Sequence, residues 1–562
     1  MGKRTLPKEE RKLNLVKVFG AIALIILVII TIYLAFFNSD IETLDTTVEV
    51  ENKNININNV KNISEQEVVT ESKKTIEEIL ASFGGEVKEQ VKSDTYYVSK
   101  DGTDYTVYLD GEIVSGKIVP WNGEETKPKI EKEENIDIYN ANELAWVANQ
   151  VISGEKNFNG VIITLKNNID LGARKKDDGT WEGPNWNSIV GFLDEMENTT
   201  KTSNETTIEE ENVINENLKR FAGTFDGNGF SIRGMNIANN KKYQGLFGYQ
   251  SGTISNLTIK FSNVKGESAV GVIVGLNEGK IVNCKVENTT ISGIKKVGGI
   301  VGVTLSSSSI DNCETVEETV ICGEDYIGGI VGYANNNVTI INSINRANLR
   351  GSKYVGGVAG ITFYGTNLNN ISCIDANISG NEYVGGLVGY SDSQIENSYN
   401  TSNIKGNKYI GGIVGTNYKT GNINSSYNKG KIEVLEDCAG GITGTNDGTI
   451  SNCYNVAEIN SSLADGLKIG GICGQNSSDS FINSSYNIGK IIIKEYAGGI
   501  VGADFGTANN CFYENTCLEE NEENVYVKIE IDMKTNILTN LGENFKVDME
   551  NINSGYPILS WQ

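Results

Sequence analysis

The chain has 562 residues, with 63 Gly, 5 Pro, no His and a formal net charge of −24. Without histidine there is no Ser-His triad, no His-zinc motif and no imidazole base, so only carboxylate chemistry remains open to it. The acidic balance repels phosphate backbones and anionic headgroups, which excludes nucleic acid as a partner.

The first 17 residues form a basic tail with Lys3, Arg4, Lys8, Arg11, Lys12 and Lys17. Residues 18–37 are an unbroken apolar run, about 20 residues at ~1.5 Å each, which matches a ~30 Å hydrocarbon core. The basic flank and the acids Asp40, Glu42 and Asp45 predict a single-pass signal anchor in the lipid bilayer. The tail is then cytoplasmic and the C-terminal region extracellular. A cleaved signal peptide is the alternative; the length of the run and the lack of a small-x-small site after Phe37 favour the uncleaved anchor. Residues 38–70, polar and Asn-rich, are expected to be a stalk.

Residues 71–121 predict a small α+β module. Ile76, Ile79 and Leu80 have helical spacing before Gly84-Gly85, and Asp101-Gly102 and Asp110-Gly111 separate three strand-like runs. Residues 122–135 are a charged linker. Residues 136–240 hold an N-terminal cap and first coils. Asn140 and Glu143 start a helix with Leu144, Trp146, Val147 and Val151 on its apolar face, closed by Gly154, and Val161–Leu171 is a strand. An extruded acidic loop is expected over 193–219, then a tight turn at Asp226-Gly227-Asn228-Gly229.

From 241 to 515 a phrase such as Val297-Gly298-Gly299-Ile300-Val301-Gly302 recurs every 26 to 30 residues or so. Its glycine pairs are Gly298 and Gly299, Gly328 and Gly329, Gly356 and Gly357, Gly385 and Gly386, Gly411 and Gly412, Gly440 and Gly441, Gly470 and Gly471, and Gly498 and Gly499. Each repeat of about 28 residues has three short β-prone runs and no room for a crossover helix. Stacking such runs in parallel predicts an all-β solenoid of about ten coils with three strands per coil, on the order of 50 Å long. Residues 516–562 are expected to form the C-terminal cap, with a helix over Asp532–Leu541 and closure by Tyr556–Trp561.

Several files run through the repeats. Asn283, Asn312, Asn342, Asn397, Asn452 and Asn510 predict an amide ladder. Next to them Cys284, Cys313, Cys373, Cys453 and Cys511 alternate with Ser343, Ser398, Ser426 and Ser485, a pattern that asks for a small buried side chain. All nine cysteines lie at or after Cys284, so there is no lipobox cysteine; a disulfide between neighbours such as Cys284 and Cys313 is an alternative to burial. Tyr399, Tyr427, Tyr454, Tyr486 and Phe512 form an aromatic file, read either as stacking or as a sugar-binding platform. Asn400, Asn428, Asn455 and Asn487 are expected to turn a corner in left-handed backbone. Around each glycine pair, strand alternation sets Val297 and Val301 on one face and Ile300 on the other, so either the pair bends and all three point inward, or an apolar stripe faces out; the bend is favoured.

The helix–strand opening, Trp186-x-x-Ile189-x-Gly191, Phe225-Asp226-Gly227-Asn228-Gly229, Gly245-Leu246-Phe247-Gly248 and the Gly-Gly-Ile-Val-Gly copies after it resemble bacterial surface proteins with GLUG repeats. The resemblance covers 136–562 and includes the ending Asn553–Leu559. It implies a right-handed parallel β-helix used in surface adhesion. Some relatives carry a zinc peptidase domain, which a chain without His does not match.

The expected function is a membrane-anchored, non-enzymatic adhesin or binding scaffold without cofactor or metal, its extracellular glycan or protein ligand unnamed. A β-helix polysaccharide lyase or hydrolase is the enzymatic alternative, with Asp170, Asp226 and Arg233 as candidates. A structural envelope spacer, with binding assigned to the 71–121 module, is the third reading.

Overall fold

The computed structural model describes residues 74–190, 218–461, 467–493, 497–518, 527–528 and 530–562. The basic tail, the apolar run 18–37, the stalk and nearly all of the 193–219 loop lie outside them. The chain divides into two compact units, 1–66 and 67–562, and every described residue belongs to the second. Among the described residues no helix is long and apolar enough to cross a membrane.

The fold is a parallel β-solenoid of about twelve turns. One coil reads Lys280–Val282, Lys285–Glu287, Thr290–Ser292, Lys295–Gly298 and Val301–Thr304. Each of these strands pairs only with its equivalents one coil before and after, which gives five columns of 13, 13, 10, 8 and 10 strands. The expectation of three strands per coil is therefore corrected to five. The run Ile423–Tyr427 divides at Ser425, which has a φ of 49°. The glycine-pair run divides at the pair itself. Ten coils is likewise too few, because the two longest columns begin upstream of residue 241, where the cap and first coils were expected.

A strand of three residues buries one side chain, and the register repeats that residue from coil to coil. In the first column Ile254, Ile281, Ile310, Ile340, Leu368, Ile395, Ile423, Ile450 and Ile482 stand in one row, all without exposure. Rows of this kind fuse into one continuous apolar core. Because each coil touches only its neighbours, its stability is local.

The N-terminal end is covered, whereas the last coil, Val501–Asp504 and Thr507–Asn509, stays partly exposed and the expected C-terminal cap packs on the Tyr427–Tyr486 side instead. Helix Ala141–Ser153, capped by the Asn140 side chain on the Glu143 N–H and ended by left-handed Gly154, buries Leu144, Val147 and Val151 over the first coils. Ahead of it, helix Ile76–Phe83 packs on a four-stranded antiparallel meander, Glu86–Lys92, Thr95–Lys100, Thr103–Tyr108 and Ile113–Ser115. Its first strand was not expected. This small sheet rests on the solenoid, where Arg233 reaches Asp110 at 2.6 Å and Glu112 at 2.7 Å, and Arg174 reaches Asp94 at 2.7 Å. Residues 122–135 stay close to the solenoid too, since the Thr126 N–H donates to the Asn142 carbonyl at 3.0 Å.

Candidate functional site

The glycine pairs stand where the chain leaves one column for the next. A Cβ on the first glycine of a pair would run into the carbonyl three residues on, as Gly298 would meet that of Val301. A Cβ on the second would strike the next coil and an inward side chain, 2.6 Å from Asn400 Cγ for Gly386 and 2.6 Å from Cys373 Sγ for Gly357. The requirement is for space and not for left-handed backbone, since no glycine of a pair has positive φ. The bend turns Val297, Ile300 and Val301 inward together, each fully buried, so no apolar stripe is displayed.

The expected amide ladder forms in part on its own file, and a second, continuous one forms where corners were expected. Asn283, Asn312, Asn342, Asn397, Asn452 and Asn510 take the left-handed corner, with φ of 50° to 54°, and at the surface some bond from coil to coil, Asn312 Nδ2 donating to Asn283 Oδ1 at 2.7 Å and Asn283 Nδ2 to Asn256 Oδ1 at 3.1 Å. Asn400, Asn428, Asn455 and Asn487 point inward with no exposure. Each of the first three donates from Nδ2 to Oδ1 of the next, at 2.9 Å throughout. Each also bonds the backbone two residues on, as Asn428 does to Gly430. Strand length decides the matter: these strands are two residues long, and their second residue faces the core.

Cys373 belongs to this inner file and not to the Cys/Ser file. It pairs with Asn345 and Asn400, and Ile371 precedes it at the Cys/Ser position. The other cysteines of the expected file are buried, and none of the nine is in a disulfide. Burial pushes the Cys453, Cys473 and Cys511 thiols up to about 12. They are packing groups, not nucleophiles.

The aromatic file is stacked as drawn from the sequence. Tyr399, Tyr427, Tyr454 and Tyr486 lie 4.9–5.2 Å apart with interplanar angles of 4–5°, and Phe512 follows in register. It is not an open platform, however. Met533, Ile537, Leu541, Phe545 and Leu559 pack against it, and Trp561 lies over Tyr399 and Tyr427. The Tyr454 hydroxyl donates to Gln562 Oε1 at 2.9 Å, and the Tyr486 hydroxyl donates to the Pro557 carbonyl. The chain's own C-terminal segment thus occupies the file, and Tyr399 alone keeps partial exposure among its tyrosines.

A second tyrosine file, missed in the sequence, has no such segment over it among the described residues. Tyr326, Tyr354, Tyr383 and Tyr409 stack at 4.8–5.0 Å with angles of 3–20°, all partly exposed. All four have left-handed backbone, φ 57° to 61°, a conformation that bulky side chains rarely accept. The cause is local crowding: a Cβ on Gly360 would lie 2.6 Å from the Tyr326 carbonyl carbon, so a later coil runs close behind each tyrosine. Alongside stands an outward file from the fifth column, Val303, Tyr333, Ile361 and Tyr390. Tyr326 meets Tyr333 edge-on at 5.7 Å, and Tyr354 meets Tyr390 edge-on at 6.1 Å, so the two files form an aromatic corner with Tyr418 at its end, 5.4 Å from Tyr390. Burial and the neighbouring Tyr418 phenol push the Tyr390 hydroxyl above its ordinary value, and burial does the same for Tyr354 and Tyr409. These phenols are neutral donors at physiological pH. The signal was in plain view, a Tyr two residues ahead of four successive glycine pairs.

The carboxylates weighed for catalysis do not form one site. Asp170 is fully buried in a bidentate pair with Arg174, at 2.9 and 2.7 Å. Arg233 lies 3.5 Å over the Tyr108 ring beneath the small sheet. Asp226 sits in another column and accepts from the Asn228 N–H at 2.8 Å and Asn256 Nδ2 at 2.9 Å, as a turn former does. Among the described residues no cluster of His, Cys, Asp and Glu is placed to hold a metal ion.

Fold and files together define a repeat protein of the parallel β-solenoid class whose outer face carries a stacked aromatic corner. A family model, the GLUG motif, matches residues 380–405, the coil that contains Tyr383 and Tyr390. The chain therefore carries a GLUG motif on a parallel β-solenoid. No curated protein matches the sequence. Among solved structures, a Bacteroides ovatus protein described as a "putative immunoglobulin A1 protease" is similar at 18% identity, over 78% of this chain and 94% of that one, with a TM-score of 0.27.

Proposed function

We propose that this chain is a non-enzymatic binding rod of the bacterial cell surface, anchored through residues 18–37, that engages an extracellular ligand with the corner around Tyr354, Tyr383 and Tyr390. The observation that carries the reading is the contrast between the two tyrosine files. One is occupied by the chain's own C-terminal segment, while Tyr354 and Tyr383 of the other, with Tyr390 beside them, have no such segment over them among the described residues. Stacking, worth about 0.5–1.5 kcal/mol per pair, offsets part of the cost of left-handed tyrosines.

The test uses cells that display the full-length chain. Protease added outside should remove residues beyond the stalk and abolish adhesion to the cognate surface. Replacing Tyr354 and Tyr383 by Ser should lower adhesion at unchanged display level. Unaltered adhesion after both treatments refutes the proposal. If adhesion survives the tyrosine changes and follows residues 71–121 instead, the envelope-spacer reading replaces it.

A further inference from the structure

We infer that the tyrosine corner takes an uncharged, linear polysaccharide laid parallel to the solenoid axis, with about one sugar unit per coil. The inference rests on the binding-rod reading and gives the chemistry of its ligand. Four observations lead to it.

The first is the register. Tyr326, Tyr354, Tyr383 and Tyr409 repeat every 4.8–5.0 Å along the axis, a step comparable to one pyranose unit in an extended chain. A polymer with that repeat meets the same contact in each coil, and its affinity accumulates with length.

The second is the hydrogen-bonding state of the phenols. On the covered file the Tyr454 and Tyr486 hydroxyls are bonded to Gln562, Pro557 and Asn553. On the corner the hydroxyls of Tyr354, Tyr383, Tyr390 and Tyr409 bond to no other described residue. A row of phenol hydroxyls suits a ligand rich in hydroxyls, which both donates and accepts.

The third is charge. The ions flanking the file are paired across coils, Lys353 with Glu382 at 2.9 Å and Lys408 with Glu436 at 3.4 Å. Asp392 and Asp447 lie near Tyr390 and Asp437 near Tyr409, so the rim adds to a chain at −24 in repelling a polyanion.

The fourth is what the corner lacks. Within the file every ring face except the two at its ends is taken by a neighbour, so a flat aromatic ligand finds no face along it, while ring edges and hydroxyls remain. The polypeptide seated on the covered file shows what such an occupant uses, a set of buried apolar anchors such as Ile537, Leu541 and Phe545. At the corner the equivalent apolar layer, Tyr333 and Ile361, is already buried, with exposures of 3% and 0%.

The experiment measures retention of the full-length protein on linear β-glucan, on chitin and on polygalacturonate, then titrates oligosaccharides of increasing length. The neutral polymers should retain the protein and polygalacturonate should not. Affinity should rise up to about four sugar units and then level off. The pair Tyr354→Phe and Tyr383→Phe keeps the stack and removes two hydroxyls, so it should weaken binding about tenfold. Tyr427→Phe on the covered file should leave binding unchanged. Absence of binding to every neutral polymer overturns the inference, as does binding indifferent to the Phe pair. If the corner instead captures a protein in a tyrosine-dependent way, the polysaccharide is refuted while the binding-rod reading stands. If the tyrosine changes leave both glycan binding and cell adhesion intact, both fall.

Discussion

Asn428→Ala should cut the inner amide ladder at its middle. Asn428 makes four hydrogen bonds, to Asn400 and Asn455 at 2.9 Å and to the Gly430 N–H and carbonyl at 3.0 Å. Its two side-chain neighbours keep a second bond each, Asn400 Nδ2 to the Ser402 carbonyl and Asn455 Oδ1 from the Ala457 N–H. Gly430 does not: Ala leaves its buried N–H and carbonyl without the amide that served both. Two orphaned backbone groups at ~1–3 kcal/mol each, with two weakened amide bonds, give a loss of about 4 kcal/mol. Because coils couple only to neighbours, the loss should concentrate around residues 400–455. Hydrogen exchange read by peptide is therefore the assay, and protection there should fall by roughly a hundred- to a thousandfold. Asn377→Ala, which removes an exposed bond to Asn348 at 3.2 Å, should cost under about 0.5 kcal/mol. Equal effects from the two substitutions would refute the inner ladder as a stabilising element.

Gly386→Ala places a Cβ 2.6 Å from Asn400 Cγ and against the next coil, and should cost about 3 kcal/mol, seen as early local melting of the coils around it. Arg233→Met should loosen the small sheet by about 3–5 kcal/mol, because Asp110 and Glu112 lose their buried partner; a change in fluorescence of Trp121, edge-on to Trp186 at 5.4 Å, reports it. The same docking should weaken in acid. Burial alone would raise the Asp94 carboxyl, but the Arg174 charge and hydrogen bond hold it below 3.8, so its contribution is present above 3.8 and fades as pH falls through the lower folded value. In base the thiols act in the opposite sense: burial raises Cys453, Cys473 and Cys511 from 9.0 to about 12, so their contribution is complete below 9 and declines as pH rises toward 12. Thiol labelling at pH 8 should leave them unmodified until the solenoid unfolds.

What sequence alone determined is the repeat. A fixed spacing of glycine pairs, β-prone runs too short for a sheet and no space for crossover helices admit little but a parallel solenoid, and the rows of Ile and Val identify its core. The helical cap at Asn140–Gly154 was legible for the same reason, as local capping and periodicity do not depend on distant contacts. Sequence did not determine which way a residue faces once a coil bends. Five bends per coil reset the two-residue alternation, which is why Asn400 and Asn428 lie inside where corners were expected, and why Cys373 falls among the amides. Nor does a recurring tyrosine announce whether it is covered. Tyr427 and Tyr383 recur with the same period and stack at nearly the same distance. Only the tertiary structure brings Leu559 and Trp561 back over the first and leaves the second outside their reach, because burial is decided by a segment more than a hundred residues away along the chain.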